Sequence, residues 1–107
     1  YMSASIASPT KIQALPVDSA RSIAQFFQVL SDPTRVRIVK ALAEGEWCVT
    51  DLVDALNMDQ PAISHQLKYL RKLGVVSYRK KGRHVYYTLD DDQLREVLFS
   101  GIKYTTD

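Results

Sequence analysis

A chain of 107 residues with 46% apolar content and a formal net charge of +2 fits one small domain with a modest core. Its single cysteine, Cys48, excludes a disulfide framework within the chain, which suits a reducing, cytoplasmic setting. No apolar run approaches the roughly 18 residues that span a bilayer and no signal-peptide pattern opens the chain, so no membrane partner is expected.

Residues 1–17 (YMSASIASPTKIQALPV) are rich in Ser, Ala and Pro and read as a flexible N-terminal arm ahead of a domain over residues 18–107. Tyr1, ahead of Met2, reads as an added residue foreign to the fold. From Asp18 the pattern turns helical: Ile23, Phe26, Phe27 and Leu30 share a spacing, with Asp18 or Ser19 as the cap. "SDPTR" then interrupts. Asp32 can cap a second helix with Pro33 at its first position, where the missing N–H costs nothing. That helix carries Val36, Ile38, Val39 and Leu42 and ends at Gly45. A short third helix is predicted from a Thr50 cap to Leu56, followed by the tight turn "NMD". Asp59 can cap a fourth helix that tolerates Pro61 in its first turn and ends at Gly74. The period then changes. "VVSYR" and "HVYYTL", joined by "KKGR", read as a two-stranded hairpin with a basic tip. "DDDQLREVLFSGIKY" closes the chain as a helix with Leu94, Val97, Leu98 and Ile102 on one face. The order defines an α+β, mostly α fold: a winged helix-turn-helix with a two-stranded β-hairpin wing.

The charge is segregated along this order. Residues 44–59 hold Glu44, Glu46, Asp51, Asp54 and Asp59 without a base, and residues 90–92 are "DDD". Between them, residues 60–89 carry Lys68, Arg71, Lys72, Arg79, Lys80, Lys81 and Arg83 without an acid. At 100° per residue, Ile63, Leu67, Leu70 and Leu73 of the fourth helix face the core. Pro61, Ser64, His65, Lys68, Tyr69 and Lys72 face out. Short polar groups near the helix start and cations further along are what a helix in a DNA major groove requires, since the former reach base edges and the latter neutralise phosphates. The plain alternative is a solvated charged face. Against it stand the complete absence of acids, the short helix and turn before it, and the basic hairpin after it. Arg79, Lys80, Lys81 and Arg83 around Gly82 can lie along a phosphate backbone or enter a minor groove.

Over residues 18–104 the sequence resembles the ArsR/SmtB family of bacterial metal- and stress-responsive repressors. The resemblance is carried by "LSDPTRVRIVKALAEGEWCVTDL", "DQPAISHQLKYLRKLGVVSYRKKGRHVYYTL" and the closing helix. It implies a homodimer built from first and last helices, an inverted-repeat operator in double-stranded DNA, and repression that an inducer relieves. Carried onto matching positions, it implies DNA contacts from Gln60, Ala62, Ser64, His65 and Lys68 on the reading helix and from Arg79, Lys81 and Arg83 in the wing. Apolar side chains at Phe26, Phe27, Leu94, Leu98 and Ile102 supply the expected dimer surface.

The resemblance breaks in the sensing half. The family's soft-metal site uses Cys-x-Cys at the start of the third helix, but here the run is Cys48-Val49-Thr50, and a hydroxyl is a poor ligand for thiophilic metals. The family's second site straddles the last helices at the dimer interface, with Asp and His from one chain and His and an acid from the other. The matching positions are Asp91, Gln93, Tyr104 and Asp107, a weak oxygen-rich set without histidine. His65 and His84 lie in the DNA-reading half. No cofactor is therefore expected, and a metal inducer would meet incomplete ligand sets. Cys48 reads as a small hydrophobe at the core edge, or else as a thiol-only redox switch. One Cys and two His, with no partners clustered around them, exclude an enzyme. The rival readings are a redox-responsive or effector-independent regulator, and a winged-helix protein-interaction module.

Overall fold

A computed structural model describes residues 12–106. The elements are α1 (Val17–Gln28), α2 (Pro33–Glu44), α3 (Val49–Leu56), α4 (Gln60–Lys72), β1 (Val76–Lys81), β2 (His84–Leu89) and α5 (Asp92–Thr106). The order matches the one predicted from periodicity. Most of the arm expected over residues 1–17 lies outside the described residues, as does Asp107; Ile12 and Leu15 are exposed.

The helix ends show which local signals act. Asp32 caps α2, its carboxylate accepting from the Arg35 amide at 2.9 Å, with Pro33 in the first turn. α1 and α3 begin earlier than predicted. Pro16 and Cys48 occupy their N-cap positions, and no side chain closes either helix. Asp18 lies inside the first turn of α1 and pairs with Arg21 at 3.1 Å. Gly45 ends α2 in an extended conformation, φ 170°, so no left-handed cap forms there. Gly74 does supply one, at φ 76°. The Gly74 amide donates to the Arg71 carbonyl at 3.0 Å and the Val75 amide to the Leu70 carbonyl at 3.2 Å. This pair of bonds is a Schellman turn, and it fixes the direction in which the chain leaves α4 for β1.

The core joins Ile38, Val39 and Leu42 of α2, Leu52 of α3, Ile63, Leu67 and Leu70 of α4, Val76 and Leu89 of the hairpin, and Leu94 and Leu98 of α5. Leu73 departs from expectation. It is 45% exposed, because it lies about 80° around α4 from Ile63 and overhangs the edge of the buried stripe. It lines a groove with Phe26 and Val29 instead. Tyr69, expected on the outer face, is half-buried against the core beneath the Arg35 guanidinium, 4.6 Å from its ring centroid. Arg35 also donates to the carbonyls of Val29 at 2.9 Å and Gln28 at 2.8 Å, joining the end of α1 to α4.

β1 and β2 pair antiparallel from Val76↔Leu89 to Lys81↔His84. Gly82 takes φ 65° at the first central position of the two-residue turn, the requirement of a type II′ hairpin. Trp47 adds a single bridge on the free edge of β2. Its amide donates to the Tyr87 carbonyl at 3.0 Å and its carbonyl accepts from the Tyr87 amide at 2.8 Å.

Candidate nucleic-acid interface

α3 and α4 are joined by Asn57, Met58 and Asp59, with Asn57 in the left-handed region at φ 52°. Three residues of turn between two helices are the helix-turn-helix spacing. Arg37 of α2 fixes the joint by donating from Nη2 to the Leu56 carbonyl at 2.8 Å. With Ile63, Leu67 and Leu70 locked in the core, α4 turns Gln60, Ala62, His65 and Lys68 outward, and Ser64 is half-buried between them. Gln60 Nε2 donates to Ser64 Oγ at 3.4 Å, so the two polar groups expected to read bases are neighbours. The Asp59 side chain makes no cap bond, which leaves first-turn amides of α4 open to an anion.

Lys68, Arg71 and Lys72 line a shallow groove along the second half of α4. The Arg71 guanidinium stacks on the Tyr78 ring, 3.9 Å from its centroid, and so bridges α4 to β1. Because Tyr78 pairs with Tyr87, strand alternation puts Lys80 on the same face as Tyr78, and Arg79 and Lys81 on the other. The cationic surface thus runs from Lys68 through Arg71 and Lys72 to Lys80 and the exposed tip at Lys81 and Arg83. Lys80 was expected in the basic hairpin loop, whereas Arg71 was not among the expected contacts. Their charge was visible, but their alignment depends on the Arg71–Tyr78 stack.

Arg79 is engaged elsewhere. It reaches across β2 to Glu46 in a two-pronged ion pair, Nε to Oε2 at 2.7 Å and Nη2 to Oε1 at 2.8 Å. The hydrogen bonds from Arg79, and then the positive charges of Arg79 and Lys81, hold the Glu46 carboxyl below its ordinary range, while the same pair raises Arg79. A lowered carboxylate stabilises the fold above its unfolded pKa, and that contribution is lost as pH falls through the folded one. The pair is therefore fully ionised at neutral pH.

The expected dimer surface needs one correction. Leu94 is 0% and Leu98 is 4% exposed, because both face the chain's own core, so neither offers apolar surface to a partner. Phe27 does, at 52% exposed, with Ile23 beside it on α1, a helix that buries none of its residues. Phe26 and Ile102 are half-buried. Just past the end of α1, between α2 and α5, an apolar groove is lined by Leu30, Val36, Val97, Gly101 and Ile102.

Within one chain the sensing positions lie apart. The Asp91 carboxylate caps α5, accepting from the Leu94 amide at 2.9 Å. Gln93 is exposed, and Tyr104, 88% exposed, lies about 20 Å along the helix from Asp91. A capping carboxylate, an amide and a phenol supply neither of the imidazoles that such a zinc site uses. Cys48 is buried at the start of α3. Among the described residues no three His, Cys, Asp or Glu side chains gather as metal ligands would.

A winged helix-turn-helix whose reading helix and wing share an acid-free cationic surface is the architecture of a DNA-binding regulator. The chain belongs to the arsR family of bacterial regulatory proteins, whose family model matches residues 32–78. It is 44% identical over 85 residues to the transcriptional repressor SmtB homolog of Synechocystis sp., a match covering 79% of this chain and 64% of that one. It therefore spans less than two thirds of that relative's length. It is 39% identical over 92 residues to the HTH-type transcriptional regulator NmtR of Mycobacterium tuberculosis, covering 84% of this chain and 77% of that one. The crystal structure of the AntR antimony-specific transcriptional repressor superposes with a TM-score of 0.80 at 29% identity, over 91% of this chain and 90% of that one. The family is one of transcriptional regulators and not of enzymes. Among the described residues no helix is long and apolar enough to cross a membrane.

Proposed function

We propose that the chain is a cytoplasmic, sequence-specific repressor that binds an inverted-repeat operator as a homodimer and leaves it when an inducer binds. The observation that carries this reading is the continuity of the acid-free cationic surface from α4 through the Arg71–Tyr78 stack to the wing. Gln60, Ser64 and His65 face the bases in this reading, and Lys68, Arg71, Lys72, Lys81 and Arg83 the phosphates. The exposed apolar face of α1 and the adjoining groove support the dimer, and two-fold symmetry then places two reading helices one duplex turn apart or a multiple of it.

The inducer is not a tightly held thiophilic metal or zinc, since the ligand sets at Cys48 and at Asp91, Gln93 and Tyr104 are incomplete. The burial of Cys48 favours its reading as a packing residue over a thiol switch. A protein-interaction module would want an apolar reading face, and this one is polar and basic. Binding of the purified protein to a palindromic duplex, measured from low to high salt, tests the proposal. Affinity should fall steeply, with a log–log slope near −0.9 for each phosphate neutralised. A flat response would remove the phosphate contacts and the reading with them.

A further inference from the structure

We propose that Glu46 is a built-in competitor for DNA phosphate: it holds the Arg79 guanidinium over the face of the wing turned away from Tyr78 and thereby sets how strongly the wing grips a duplex. The inference rests on the DNA-binding reading above. Among the described residues Arg79 is the one cation of the reading helix and wing with a carboxylate partner; Lys68, Arg71, Lys72, Lys80, Lys81 and Arg83 have none. That partner comes from 33 residues away, and it is firmly seated. Trp47, the next residue, is clamped to β2 by both backbone bonds to Tyr87, which places Glu46 opposite Thr88 on the face that also carries Arg79 and Tyr86.

The fold has little need of this pair. Both side chains are largely exposed, 58% for Arg79 and 39% for Glu46, and ion pairs so placed contribute little to stability. Its chemistry matters more. A carboxylate satisfies the guanidinium fork in the geometry a phosphate would use, so the two compete for the same donors. If Arg79 stays on Glu46, the wing offers Lys80, Lys81 and Arg83 alone. If it leaves, an unpaired carboxylate remains on the wing. Either course weakens binding, for operator and random duplex alike, because the contact is to backbone and not to bases.

Glu46→Gln keeps the size of the side chain and removes its charge. With two wings per dimer it should steepen the log–log salt slope by about 1.8 and tighten binding roughly 30-fold at 0.15 M salt, the share of one released counterion per wing. Arg79→Ala should weaken binding in the native background, where it leaves the Glu46 carboxylate unpaired on the wing, and should cancel the gain in the Glu46→Gln background. Circular dichroism and thermal melting of each variant confirm that it is folded. Unchanged or weaker binding by Glu46→Gln would overturn the proposal, as would a gain that survives the loss of Arg79. Failure of the unaltered protein to bind duplex DNA in a salt-dependent way would instead remove the DNA-binding premise, a separate and recognisable outcome.

Discussion

The seven cations of residues 60–89 do not share one task. Arg83, exposed at the hairpin tip and in no ion pair among the described residues, is placed for phosphate alone. Arg83→Ala should weaken binding to all sequences by a common factor and flatten the salt slope by about one unit for each wing of the dimer, which a titration against operator and random duplex would reveal. Ser64→Ala and His65→Ala should instead blur sequence preference, by about 1–3 kcal/mol per lost base contact, with the salt slope kept. Competition between operator and single-base variants reads that loss; the reverse pattern would exchange the roles of helix and wing. At this scale the sequence conveyed charge and face well, since both follow from period and composition. Engagement was hidden. Nothing in residues 79–83 reveals that Arg79 is held by Glu46, 33 positions earlier, or that Arg71 lies on Tyr78 and extends the surface. Such pairings exist only once the hairpin has folded back on the helices.

The reading helix and the wing are set by their joints. Asp32 and Gly74 act at opposite ends of the unit, one starting α2 and the other turning α4 into β1. Asp32→Ala should cost about 1 kcal/mol through the lost cap bond to the Arg35 amide. At Gly74 a methyl group would meet nothing within 4 Å, so Gly74→Ala is opposed by backbone strain alone, about 1–2 kcal/mol at φ 76°. Urea unfolding of both variants checks these values; a neutral Gly74→Ala would mean that the turn relaxes. The order of elements was legible because each carries its own period and punctuation. Boundaries were less so. Thr50 and Asp18 have the chemistry of caps, yet the helices start one residue before them, at Val49 and Val17, with Cys48 and Pro16 in the cap positions. The single bridge at Trp47 left no local trace, as one β-pair has no period.

For the molecule as a whole, the unburied face of α1 decides most. Helices this short are marginal in water unless they pack, and α1 buries no residue in its own chain. A second chain supplies the missing contact in the proposed dimer, and the melting temperature should then rise with protein concentration. Phe27→Ser should forfeit about 2 kcal/mol of apolar burial per chain, about 4 kcal/mol for the pair, a loss that weakens the dimer roughly a thousandfold. Gly101 lines the adjoining groove and has open space around its Cα. Gly101→Leu would fill that space and should block a crossing helix without disturbing the core. Sedimentation of both variants at micromolar concentration distinguishes monomer from dimer, and an intact dimer in each would move the interface elsewhere. The sequence suggested that such a surface exists but drew it partly with Leu94 and Leu98, which a helical repeat cannot tell from their exposed neighbours when both sides of the helix are apolar. One more consequence follows from the bridge to β2. Trp47 is the sole indole in the chain, tethered through Nε1 to the Ala41 carbonyl at 2.9 Å and through its backbone to the hairpin. Its intrinsic fluorescence is therefore a label already in position, whose colour and lifetime report whether the wing is seated, with no dye attached.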